Sequence, residues 1–189
     1  MVFAFLSIVH ASVIPSNIVV KKLNNGLTAV VLPQKDTPLV AVQTWMRVGA
    51  RQETLEGTTG YAHFFEHLMF QGTETLSKDE RKSELMRLAA DENAWTSRDF
   101  TCYHLLAPAD NVYRILEIEA DRFQNIMLTE DIVNREAGAV LGEYRKSRNA
   151  NNLLWDSILA KSYLVHSYGH STLGYERDIR EMSNGILKV

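Results

Sequence analysis

The chain has 189 residues, 46% of them apolar, and a formal charge of -3 from 20 basic and 23 acidic side chains. That length suits one domain with a sizeable core, and the mixed charges form neither a basic stripe nor a like-charge tail, which excludes nucleic-acid binding. The single cysteine, Cys102, excludes a disulfide framework and a thiolate cluster, so any metal must be held by His and carboxylate.

Met1 to Ala11 is apolar, carries no Lys or Arg, and is too short to span a bilayer. Val9-His10-Ala11 before Ser12 resembles a small-residue cleavage site, so residues 1–15 read as an export-signal remnant that lacks its basic start. This predicts an exported protein, periplasmic or extracellular, with no transmembrane helix, and one domain over residues 16–189. Strands are predicted at 18–23 and 27–32 around the hairpin signal Asn24-Asn25-Gly26, followed by a loop from Pro33 to Pro38. Leu39 to Val48 alternates, with Val40, Val42, Thr44, Met46 and Val48 on one face and Gln43, Trp45 and Arg47 on the other, so it reads as a half-buried strand.

Arg51 to Thr59 is polar and turn-rich, and leads into a helix that ends near Gly72. On that helix His63 and His67 lie about 40° apart around the axis, one turn from each other, and can share a metal. Glu66 leans over the same face without being forced to coordinate, which suits a general base. The order H-x-x-E-H is the inverzincin signature, and two imidazoles leave such a site short of a third protein ligand.

Further along, Ser77-Lys78-Asp79-Glu80 has the spacing of a helix cap, with a helix running to about Ala90. Strands at 93–98 and 100–107 are joined near Asp99. Helices are predicted at 110–124, 130–148, 152–165 and 176–182, with a loop at 167–171. Ile186-Leu187-Lys188-Val189 stops in an apolar phrase, as in a fragment.

The third ligand is sought on a separate helix packed beside the first, and Glu143 is the best candidate. Glu136 precedes it by two turns and points the same way within about 20°. One of the two can coordinate while the other accepts a hydrogen bond from a ligand imidazole.

Four blocks together resemble the pitrilysin / insulin-degrading enzyme / mitochondrial processing peptidase family of inverzincin zinc metallopeptidases. They are His63 to His67, the Glu143 spacing, Asn93 to Tyr103 and Glu119 to Arg122, and the likeness, running from about Leu23 to Met182, is greatest to exported bacterial members. The resemblance implies a zinc-dependent endopeptidase acting on extended peptides, with one Zn2+ held by His63, His67 and Glu143, Glu66 activating water and Glu136 assisting. It implies that Asn93 and Ala94 lie on an edge strand to which a peptide substrate adds. The implied fold is α+β, a mainly antiparallel sheet with helices packed on it, incomplete at its C-terminus. A C-terminal half-domain or partner subunit is expected to close over this half. The alternative is a non-catalytic scaffold or partner subunit of the same fold, against which stands the intact motif.

Phe64, Phe65, Leu68, Met69 and Phe70 are expected in the core, Glu119, Asp121 and Arg122 in structural ion pairs, and Trp95, Phe100 and Tyr103 in sheet packing. His104, His166 and His170 have no partner at ligand spacing and are read as ordinary residues. Two departures from the family pattern stand out. Ala89-Ala90-Asp91-Glu92 replaces a Gly-rich turn before Asn93, and no proline follows His170.

Overall fold

The turn at Asn24-Asn25-Gly26 reverses the chain as its residue types predict. Gly26 takes φ +89°, in the left-handed region, and Asn25 Oδ1 accepts the Leu27 N–H at 3.1 Å. The flanking strands β1 (Val19–Lys22) and β2 (Thr28–Val31) pair antiparallel, with Val19 opposite Val31 and Lys22 opposite Thr28. Each is one residue shorter at both ends than expected; at the inner ends, Leu23 and Leu27 are bonded within the turn. The computed structural model describes residues 15–186; the hairpin belongs to a first compact unit, Met1–Pro38, and all that follows to a second, Leu39–Val189. The segment read as an export signal lies almost wholly outside the described residues. Among those described, no helix is long and apolar enough to cross a membrane.

The second unit is built on β3 (Leu39–Met46), β4 (Asp91–Thr96) and β5 (Thr101–Pro108), antiparallel in the order β3-β5-β4. The fold is α+β, as expected. β5 is paired on both sides and largely buried, whereas β4 is an edge strand among the described residues. In β3 the alternation holds from Val40 to Trp45, with Val40, Val42 and Thr44 half-buried and Ala41, Gln43 and Trp45 exposed, but not at its end, where Met46 is exposed and Val48 lies beyond the strand and is exposed as well. Trp45, Cys102 and Trp95 share one row across the sheet, and the two indoles meet edge to face at 5.7 Å beside the buried Cys102. Trp95 and Phe100 thus both pack on or beside Trp45, while Tyr103 packs against Phe123 at 5.4 Å. β4 begins two residues earlier than predicted. Asp91 and Glu92 do not read as strand, but the buried Arg81 grips Glu92 through two bonds of 2.8 and 2.7 Å.

The helices are α1 (Tyr61–Leu68), α2 (Lys78–Arg87), α3 (Val112–Gln124), α4 (Glu130–Ser147), α5 (Ala150–Ser162) and α6 (Glu176–Ile186). Two apolar clusters hold them. Phe64 and Leu68 of α1 meet Val133 and Val140 of α4 and Ile179 and Met182 of α6. Leu85 of α2, Leu105 and Ala107 of β5, and Ile115 and Ile118 of α3 form the other, together with Leu88. Of the apolar residues expected inside with α1, Phe64, Leu68 and Met69 are buried, Phe70 is half-buried, and Phe65 is 42% exposed. Phe65 points outward because it lies about 100° around the axis from Phe64.

Glu119 and Arg122 form the expected buried ion pair, extended by Arg81 at 3.4 Å, with the Arg122 guanidinium over the Tyr103 ring at 4.9 Å. Asp121 departs from expectation: it accepts the Thr73 and Thr75 hydroxyls at 2.5 and 2.7 Å and forms no ion pair with its neighbours in sequence. It points to the loop before α2 rather than to the sheet.

The capping box predicted at Ser77 is present, with Ser77 N–H donating to Glu80 at 3.0 Å. At the other end α2 closes in a Schellman turn, in which the Ala90 N–H donates to the Leu85 carbonyl at 2.9 Å and the Ala89 N–H to Met86 at 3.0 Å. The left-handed residue of that turn is Ala89, at φ +49°. An alanine there strains the backbone where glycine would not. Ala89→Gly is therefore expected to stabilise the protein by about 0.5 kcal/mol, against the usual cost of introducing a glycine. Urea denaturation checks this; a lower midpoint in the variant rejects it.

Candidate metal centre

α1 has only two turns, and its first residue follows Gly60, which takes φ +90° and has no side chain with which to cap the helix. The cap comes instead from Glu53, whose carboxylate accepts the Gly60 N–H at 2.9 Å and the Ala62 N–H at 2.8 Å. These are among the orphan donors that every helix start leaves. Burial pushes the Glu53 carboxyl above its ordinary range, against the pull of the Ala62 and Gly60 amides and of His170. Sequence reasoning missed Glu53, because it precedes Gly60 by seven residues and no capping template spans that distance.

With Phe64 and Leu68 turned into the core, His63 and His67 face α4, their rings 4.8 Å apart. α4 presents two carboxylates to them. Glu143 stands 3.5 Å from His63 Nε2 and 3.4 Å from His67 Nε2, and Glu136 stands 3.6 Å from His67 Nδ1. His67 is thereby flanked on both ring nitrogens. Glu136 is nearly buried with its side chain 9% exposed, while Glu143 is 46% exposed and faces the open side. Arg135 turns back to Glu136 at 3.4 Å and also reaches Gln71 at 3.0 Å.

Glu66, between the two histidines in sequence, turns to the sheet: one carboxylate oxygen accepts the Thr96 hydroxyl of β4 at 2.5 Å. Burial pushes the Glu66 carboxyl up, with Glu143 adding to it, while the Thr96 hydrogen bond and His67 pull the other way. Burial, and next His67, push the His63 pKa down to about 4. Its imidazole is therefore neutral at pH 7 and its lone pair is free for coordination. Asn93 and Ala94 lie on β4 as expected, Asn93 exposed and Ala94 half-buried, with Asn93 Oδ1 accepting the Ala94 N–H at 2.9 Å.

Among the described residues, His63, His67 and Glu143 are the group that could hold a metal ion, with one donor atom of each lying within 4.8 Å of the others. The fit is tested by spacing. Two donors bound about 2.1 Å from a tetrahedral ion stand about 3.4 Å apart; His63 Nε2 lies 3.5 Å from one Glu143 oxygen and His67 Nε2 lies 3.4 Å from the other, so each imidazole stands near that spacing from the carboxylate, though not from one shared oxygen. Two imidazole nitrogens and one carboxylate oxygen suit zinc, with a fourth position open. His104, His166 and His170 are not in the group. His166 accepts the Tyr168 N–H at 3.1 Å, and His170 is buried beside Glu53 at 3.7 Å.

Residues 29–176 match the family model for Insulinase (Peptidase family M16). The chain is 32% identical over 162 residues to the mitochondrial-processing peptidase subunit beta of Neurospora crassa, covering 85% of this chain and 34% of that protein. It is 30% identical over 165 residues to the uncharacterized zinc protease YmxG of Bacillus subtilis, covering 87% of this chain and 40% of that one. Among solved structures, a protease from Helicobacter pylori superposes with a TM-score of 0.82 at 30% identity, covering 86% of this chain and 40% of the other. The chain thus spans between a third and two-fifths of the length of these relatives.

The depressed His63 pKa carries a prediction for the metal-free protein. Below its ordinary 6.5 the unfolded chain takes up a proton that the folded chain refuses until about pH 4. The contribution of His63 to stability is therefore intact above pH 6.5 and is lost as pH falls towards 4, at up to about 1.4 kcal/mol per pH unit. In chelator-treated protein, urea denaturation across that range should show a steeper loss for wild type than for His63→Gln. Equal slopes reject the assignment.

Proposed function

From its membership of the insulinase family of peptidases, peptidase family M16, to which the chain belongs, we propose that this chain is the metal-bearing half of a zinc-dependent endopeptidase. The observation that carries the reading is the convergence of His63, His67 and Glu143 at ligand spacing, with Glu66 beside them on the same helix. His63, His67 and Glu143 hold the ion. When bound, zinc supplies Lewis acidity, lowering the pKa of a coordinated water to about 7 and polarising the scissile carbonyl.

The remaining chemistry belongs to the chain's own groups. Glu66 accepts a proton from the attacking water and returns it to the leaving amine. Thr96 holds one Glu66 oxygen, which leaves the other to receive that proton. A partly buried base with a raised pKa is better matched to neutral pH than an exposed carboxylate. Glu136 orients His67 through Nδ1, so that Nε2 is directed at the site.

β4 supplies the substrate edge. An extended peptide that adds beside it takes over the Ala94 N–H now accepted by Asn93, and it is read mainly through its backbone. The sheet delivers the peptide to the side of α1 that carries Glu66, because Thr96 of the same strand is the residue that bonds Glu66. A C-terminal half-domain or partner subunit completes the chamber, in keeping with the longer relatives.

Purified chain should retain close to one zinc, and Glu143→Gln should weaken binding by more than the roughly 10–100-fold that loss of an outer partner costs. A wild type that never holds near-stoichiometric divalent metal overturns the proposal. Glu66→Gln should keep the metal and lower peptide hydrolysis by about 100-fold to 10,000-fold, assayed with a C-terminal half supplied. A zinc-loaded wild type no faster than this variant favours the non-catalytic scaffold instead.

A further inference from the structure

Outside the metal group, a set of buried polar side chains gathers at the start of the same helix, beside His63. Glu53 is 5% exposed and spends both carboxylate oxygens on the Gly60 and Ala62 amides. Ala62 is the residue immediately before His63. From the far end of the unit, residues 170–178 reach the same place. Asp178 Oδ2 accepts the Thr59 hydroxyl at 2.5 Å, and the Thr59 oxygen in turn accepts the Tyr175 N–H at 2.9 Å. His170 Nδ1 sits 3.7 Å from Glu53 and 2.9 Å from the Ser171 carbonyl.

The backbones are equally close. A methyl group at Gly174 would lie 2.4 Å from the Thr59 carbonyl oxygen, and one at Gly60 would lie 2.6 Å from that of Leu173. The polypeptide before α1 is thus pinned between Glu53 and the segment that leads into α6.

We propose that Glu53 is a positioning residue for the metal group. With Asp178 as its brace, it fixes the first turn of α1 so that His63 and His67 meet Glu143 at ligand spacing. The inference rests on the metal reading above. A two-turn helix is too short to hold its own direction, and Gly60 offers no side chain to define the helix start. Burying a carboxylate is a poor route to stability in itself, because its desolvation offsets much of what its bonds return. Two charge-assisted bonds to amides one and three residues before a ligand do, however, define geometry. Tolerances there are narrow, since ligand distances must hold to within about 0.2 Å.

The test compares Glu53→Gln and Asp178→Asn with Leu85→Ala, which opens a cavity in the other apolar cluster and serves as a control for stability. Zinc Kd by chelator competition, the electronic spectrum of the cobalt-loaded chain and the Tm are measured on the full chain. Glu53→Gln, whose amide can accept only one of the two N–H bonds, is expected to raise the zinc Kd about tenfold and to shift the cobalt bands. Asp178→Asn should shift both in the same direction by less. Leu85→Ala should lower Tm at least as much and leave both unmoved. The inference is overturned if Glu53→Gln binds zinc like wild type, or if all three variants lose affinity in proportion to Tm. Should Glu53→Gln fail to fold, Asp178→Asn against Leu85→Ala makes the same comparison. A wild type that binds neither ion overturns the metal reading itself, and this inference with it.

Discussion

The seating of one short helix governs the architecture of the second unit. α1 has eight residues, and two turns of helix in water are unstable without outside contacts. Three kinds of contact hold it: the Glu53 carboxylate at its first amides, Phe64 and Leu68 in the cluster with α4 and α6, and the Glu66–Thr96 hydrogen bond to the sheet. Each acts on a different side of the helix. Together they turn the His63 and His67 edge towards Glu143.

That edge lies at the boundary between the core and water, and the exposure of its groups is graded. Glu136 and His63 are nearly buried, His67 slightly less so, and Glu143 almost half exposed. Burial keeps the His63 imidazole neutral, while the Glu143 carboxylate lies on the open side of the group. The facing surfaces of α1 and α4 therefore bring the three donors together at the edge of the core rather than deep inside it. On the other side of α1 the edge strand β4 is anchored by the Arg81–Glu92 ion pair and by Thr96, so strand and metal group are fixed to one another through Glu66.

Much of this was legible in the residues. The spacing of His63, Glu66 and His67, the capping box at Ser77, the hairpin at Asn25-Gly26 and the alternation of β3 are local patterns, and each has the structure its period requires. The register of Glu136 with Glu143 also holds, because helical phase carries over two turns with little error. Less legible were features set by a distant partner. β4 starts at Asp91 because Arg81 reaches Glu92. Ala89 takes a left-handed conformation because the Schellman turn demands it, although alanine is a poor signal for one. Asp121 binds threonine hydroxyls instead of an arginine, and Phe65 faces outward within an otherwise apolar run.

The chain's sequence by itself determined the elements, the order of the donor groups and their family, because helix phase, strand alternation and turn chemistry act over a few residues. Tertiary structure alone decided the distances from the histidines to Glu143, the depression of the His63 pKa and the role of Glu53. Those depend on how far apart two helices pack and on what water is excluded between them. Glu53 accepts amides seven and nine residues ahead, across a loop whose path is set by Thr59, Asp178 and the close approach of Gly174. No short-range pattern encodes that path, since it arises from contacts between segments more than a hundred residues apart.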